Sequence, residues 1–130
     1  MEYLTFTSCG LKSFLCGKGF SQTLTNLKVL NLNSNAITRL KMGDFANMPQ
    51  LEELNLSHNQ IKKIPPKLFS NLVKLKSLDL SNNNLNEDID PSVFQVLPST
   101  LSSLDISSEC NTIPWIYLLV LIKQDGFFLR

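Results

Sequence analysis

Residues 51–72 read LEELNLSHNQIKKIPPKLFSNL, and the spacing of their apolar side chains decides the fold. Leu51, Leu54 and Leu56 open the stretch as L-x-x-L-x-L, Asn59 follows, and Ile61, Ile64, Phe69 and Leu72 complete it. Leu54 and Leu56 flank one polar residue, as a strand with a single buried face requires. The same positions recur 24 residues earlier as Leu27, Leu30, Leu32, Asn35, Ile37, Leu40, Phe45 and Met48. They recur 24 residues later as Leu75, Leu78, Leu80, Asn83 and Leu85. Chance does not produce that agreement.

The period loosens at both ends. In the third unit Ile89 comes one residue late, Phe94 and Leu97 follow, and one further residue precedes Leu101, Leu104 and Ile106. The additions fall at 86–91 and 98–100, where turns absorb them. At the start, Met1, Leu4, Phe6, Leu11 and Phe14 keep the spacing, with Cys9 at the asparagine position and Phe20 and Leu24 closing the unit. Five units therefore start near 1, 27, 51, 75 and 101, with strands predicted at 3–7, 29–33, 53–57, 77–81 and 103–106.

One such strand cannot bury its own leucines. Stacked coils can, because neighbouring strands form a parallel sheet over a continuous apolar interior. The expected fold is an α/β solenoid with the sheet on the concave side and short turns or helical turns on the convex side. Asn35, Asn59 and Asn83 should form a structural ladder, since an amide both donates to and accepts from turn backbone. Phe20, Phe45, Phe69 and Phe94, one per coil, should stack on the return side. Pro49 and Pro65–Pro66 exclude long helices there.

The phrases LEELNLSHNQIKKIPPKLFSNL and LKSLDLSNNNL resemble the leucine-rich-repeat superfamily, and within it Toll-like receptor ectodomain repeats. The resemblance covers residues 1–108. It implies an extracellular or cell-surface receptor segment that binds a protein or pathogen-derived ligand, an accessory protein or a second receptor chain. Residues 109–130, with Cys110, Trp115 and the run NTIPWIYLLVLIKQD, resemble a degraded form of the family's C-terminal cysteine cap. Trp115, Ile116, Leu119 and Val120 are spaced as one apolar helical face that would fold back over Leu101, Leu104 and Ile106.

Composition narrows the alternatives. The 130 residues suffice for one domain; 43% are hydrophobic and 18% charged, the balance of a globular protein. A net charge of +1 carries no nucleic-acid footprint. Ile113 to Ile122 is apolar but falls short of the roughly 20 residues of a membrane-spanning helix. Residue 1 opens no signal-peptide pattern, and the first unit leaves no room for a cap, so the reading is a segment of a longer receptor. An intracellular protein-interaction scaffold, or a truncated receptor product, stays open if the chain is complete as written. Cys9, Cys16 and Cys110 form neither a disulfide framework nor a metal-ligand spacing.

The concave face is the expected binding surface. Its outward side chains include Glu2, Tyr3, Thr5, Lys28, Val29, Asn31, Asn33, Glu52, Glu53, Ser57, Lys76, Asp79, Ser81 and Asp105. This surface is polar, mildly acidic and poor in the aromatic and arginine anchors of strong hot spots. Asn55-Leu56-Ser57 is an N-glycosylation sequon whose asparagine should point outward. Asp79 and Asp105 should lie about 4.8 Å apart on adjacent strands, and Glu87, Asp88 and Asp90 share one loop. Calcium takes more oxygen ligands than either group offers. Lys62, Lys63 and Lys67 flank the proline pair, as a contact for an acidic partner or as a solvated rim. His58 is the only histidine and has no cysteine or aspartate in a recognisable relation to it. No catalytic site, cofactor or metal is expected.

Overall fold

The computed structural model describes residues 2–12, 24–85, 89–90, 92–107 and 128–129. Six short strands form one parallel sheet in chain order: β1 (Tyr3–Thr5), β2 (Val29–Asn31), β3 (Glu53–Asn55), β4 (Ser77–Asp79), β5 (Ser103–Asp105) and β6 (Phe128–Leu129). The register aligns Leu4, Leu30, Leu54, Leu78 and Leu104 in one row. Tyr3 pairs with Val29, and Ser77 with Ser103, so the longer outer units take up their extra residues without shifting the register. The chain is a leucine-rich-repeat solenoid.

The strands are shorter than the leucine pattern predicts, for a local reason. Asn31, Asn55, Asp79 and Asp105 each turn Oδ1 back to accept the N–H two residues on, at 2.9–3.1 Å. Such Asx turns bend the chain out of the extended conformation. Ser34, His58 and Asn82 then adopt left-handed φ values of 55°, 53° and 56°, and the coil turns the corner. Strand pairing continues just past the bend, where Leu32, Leu56 and Leu80 donate to Asn55, Asp79 and Asp105 carbonyls.

Burial follows the repeat. Leu32, Leu56 and Leu80 are fully buried and belong to one core, as do Leu27, Leu51 and Leu75. The return segments at 42–47 and 66–71 are turns, and α1 (Ser92–Gln95) is a single helical turn. Prolines bound all three, with Pro49 after the first, Pro65 and Pro66 at the start of the second and Pro98 after the third, and a helix does not run on through a proline. Phe45, Phe69 and Phe94 are buried behind them. Phe45 and Phe69 stack with centroids 6.2 Å apart and planes 18° apart, while Phe20 lies outside the described residues.

The asparagines join the coils. Asn59 donates Nδ2–H to the carbonyls of Leu32, Leu56 and Ser57 at 3.0–3.1 Å and accepts from Ile37 N–H at 3.1 Å. Asn83 repeats this with Leu56, Leu80, Ser81 and Ile61. Asn35, half-buried, donates to Phe6, Leu32 and Asn33 carbonyls and accepts from Cys9 and Leu11 N–H. Each side chain satisfies turn groups of its own coil and of the one before it. The sheet and the return side thus stay in step.

Candidate binding face

The outward side chains of the strands form rows across the sheet. The first row, just ahead of the strands, is Glu2, Lys28, Glu52 and Lys76, alternating in sign. Lys28 Nζ lies 3.0 Å from Glu2 and Lys76 Nζ 2.8 Å from Glu52. Donating a hydrogen bond to Glu2 raises the Lys28 pKa, and accepting one from Lys76 lowers that of Glu52. Lys28 and Glu52 also attract across the middle of the row. Exposed pairs of this kind add little stability. Their consequence is that this flank meets a partner with its charges already matched.

The second row is Tyr3, Val29, Glu53, Ser77 and Ser103, aligned by strand register. Tyr3 is 68% exposed and is the one aromatic among these five side chains. The third row is Thr5, Asn31, Asn55, Asp79 and Asp105, with Asp79 paired to Asp105 in register. Its amides and carboxylates are half-buried and held by the Asx turns, so their free edges point in fixed directions. Between the two rows Val29, Asn31, Glu53, Asn55, Ser77 and Asp79 line a hollow of about 160 Å³. That is below the 300–1,000 Å³ of typical small-molecule pockets. It suits one inserted side chain.

Two expected face residues do not point outward. Ser57 and Ser81 are 3% and 5% exposed, because each hydroxyl turns in to donate to Oδ1 of Asn55 or Asp79 at 2.6 Å. They hold the third row in place and offer nothing to a partner. Asn33, in the equivalent position after Asn31, stays half-exposed. Asn55 sits on the outward side of β3 with Oδ1 engaged by Ser57, and Nδ2 is the atom that would carry a glycan.

The alternating charge row escaped the sequence reading, which named its four residues without pairing them. The signal was present: Lys28, Glu52 and Lys76 follow one another at 24-residue intervals with alternating sign. His58 is exposed, with Nε2 3.3 Å from Asn82 Nδ2. Cys9 is exposed, and its thiol donates to the Thr7 carbonyl at 3.3 Å. Among the described residues no cluster of His, Cys, Asp or Glu could hold a metal ion, and no helix is long and apolar enough to cross a membrane. Glu87, Asp88, Cys16, Cys110 and the Trp115–Val120 face lie outside the described residues.

Parallel coils with an asparagine ladder and an open polar sheet define the class: a repeat scaffold that presents a surface. The family model for the leucine-rich repeat matches residues 8–61, and that for paired leucine-rich repeats matches 49–94. The chain belongs to the leucine-rich-repeat superfamily, whose fold is typically a protein-binding, non-catalytic scaffold.

Similar solved structures include the leucine-rich-repeat domain of APL1B, at 27% identity and TM-score 0.61, covering 73% of this chain and 29% of that one. The Toll–Spatzle complex of Drosophila is similar at 24% identity and TM-score 0.72, covering 82% and 14%. An internalin of Listeria monocytogenes is similar at 24% and 0.65, covering 88% and 31%. The latter two likenesses are of fold. The chain spans 14% to 31% of the length of these three proteins. No curated protein sequence matches it significantly.

Proposed function

We propose that the chain is a recognition segment of an extracellular receptor of the Toll-like innate immune type. Its sheet face would bind a protein, a pathogen-derived ligand or a second receptor chain. The row Asn31, Asn55, Asp79 and Asp105 carries this reading, because the Asx turns orient its polar groups before any partner arrives. Groups held in advance lose little freedom on binding. The repeat phrases at 51–72 and 75–85 and the fold likeness to the Toll–Spatzle complex support the receptor type. A glycan at Asn55 would cover the hollow and move the contact to Tyr3 on one side and Asp105 on the other.

A second reading, an intracellular protein-interaction scaffold, is favoured by the free, exposed thiol of Cys9. One experiment separates the two. The chain is secreted from animal cells, labelled, and titrated onto animal-cell and microbial surfaces before and after glycosidase treatment. The receptor reading expects efficient secretion, a mobility shift from one glycan, and saturable binding. Asp105→Arg on the sheet face, outside the hollow, should abolish that binding, and Val73→Arg, away from that face, should leave it. Retention in the cell without a glycan favours the intracellular scaffold. Absent binding, or equal loss with both variants, removes the sheet face as the site.

A further inference from the structure

Away from the sheet, the coils part between 38–41 and 62–66 to leave a groove of about 860 Å³. The reason lies in the backbone. Gln60 N–H donates to the Ile37 carbonyl at 2.9 Å and ties the two coils just before this point. No backbone bond between these coils follows through Lys62–Ile64, and Pro65 and Pro66 have no N–H to form one. The floor is apolar, formed by the proline rings and the edges of Leu40 and Ile64. The rims are basic: Arg39 and Lys41 on one coil, Lys62 and Lys63 on the next, all exposed.

These cations differ from those of the sheet face. The ion pairs among the described residues are Lys28–Glu2 and Lys76–Glu52, both on the first row of the sheet. Asp44, within electrostatic reach of Lys41, is buried and accepts the Lys41 backbone N–H at 2.8 Å. Arg39, Lys62 and Lys63 have no carboxylate partner among the described residues. Like charges facing one another across an apolar floor leave a potential that an anion relieves.

We propose that this groove docks an acidic, extended segment of a protein partner. Its carboxylates would meet the basic rims, and an intervening apolar side chain would sit against Pro65 and Pro66. An extended chain sends alternate side chains to opposite sides, so apolar ones set on the floor leave the carboxylates at the groove mouth, beside the exposed rim cations. A sulfated sugar or a nucleic-acid backbone would use the rims and leave the floor uncovered. The chain then has two surfaces: an acidic sheet face and a basic groove.

The test uses the whole chain and a short synthetic peptide alternating glutamate with leucine, titrated by fluorescence anisotropy. The comparison ligands are the same peptide with glutamine for glutamate, heparin, and single-stranded DNA. The acidic peptide should bind, and the glutamine peptide should not. The triple variant Arg39→Gln, Lys62→Gln, Lys63→Gln should weaken binding on the order of ten-fold or more, since removing rim charges chiefly slows association. Lys74→Gln, outside the groove, and Glu53→Arg, on the sheet face, should leave it unchanged. All these side chains are exposed, and matched thermal midpoints confirm intact folds. Equal binding of the glutamine peptide, indifference to the triple variant, or preference for heparin or DNA overturns the proposal. So does loss of peptide binding with Glu53→Arg.

Discussion

The coil that begins at β3 and the coil that begins at β1 share one template and differ in what covers them. Leu54 and Leu56 are 1% and 0% exposed, packed between coils on both sides. Leu4 and Phe6 hold the same positions at the sheet edge and are only partly buried. Asn59 is buried with four hydrogen bonds, while Cys9, its counterpart, is exposed with a single thiol bond. The repeat pattern supplies the conformation of each coil, and its neighbours supply the burial. Stability in such a stack is a sum of coil and interface terms, so it should rise from the β1 edge to the centre.

The largest expected effect probes that gradient directly. Leu56→Ala removes a fully enclosed side chain and should cost about 2–5 kcal/mol, the range for such truncations in packed cores. Phe6→Ala removes a larger side chain but should cost less, because solvent already reaches it and the edge can collapse. Urea unfolding of both variants measures the order. If Phe6→Ala is as costly as Leu56→Ala, the β1 coil is as well supported as the centre and the comparison fails.

The next effect separates hydrogen bonding from packing. Asn59→Ala would leave the buried Ile37 N–H without its acceptor and would take one of two donors from each of the Leu32, Leu56 and Ser57 carbonyls. The expected loss is about 1–3 kcal/mol. Asn35→Ala breaks five bonds, yet Asn35 is half-buried and water can replace its amide at several of them. Asn59→Ala should therefore destabilise more, despite breaking fewer bonds. The local readout is hydrogen exchange, where Asn35→Ala should speed the Cys9 and Leu11 amides and leave Ile37 protected. The reverse order would mean that bond count, and not burial, governs the ladder.

How far the sequence is legible follows the same division. The leucine rows and the asparagine ladder come from a repeated local rule, and their positions could be read from spacing alone. The strand ends could not, because they depend on which polar residue turns back to its own backbone. Alternation placed Ser57 and Ser81 outward, but a hydroxyl two residues beyond an Asx acceptor is drawn inward by it. The basic groove needed two coils to part, which no single repeat encodes; the sequence showed only lysines beside prolines. β6 is least legible of all. Phe128–Leu129 pairs with Ser103 and Leu104 but carries none of the L-x-x-L-x-L pattern that marks the other strands.

The smallest effect asks whether the β1 coil is weak because of its sequence or because of its place. Cys9→Asn would restore the residue that the other coils carry. In the interior the asparagine Nδ2 reaches carbonyls two and three residues back and one on the preceding coil, as Asn59 does with Ser57, Leu56 and Leu32. The Cys9 thiol already makes the first of these, to Thr7. Asparagine would strengthen that bond and add one to Phe6, whose carbonyl already receives the Asn35 amide. Among the described residues no coil lies beyond β1 to supply the third. Both reachable carbonyls lie near solvent, and exchanging water for a protein donor there gains little. The Cys9 backbone N–H already donates to Asn35 at 2.9 Å and should stay there. The expected gain is under about 1 kcal/mol in urea unfolding, and small beside the loss from Asn59→Ala. A gain as large as that loss would mean that residue identity at position 9, and not edge position, sets the weakness of the β1 coil.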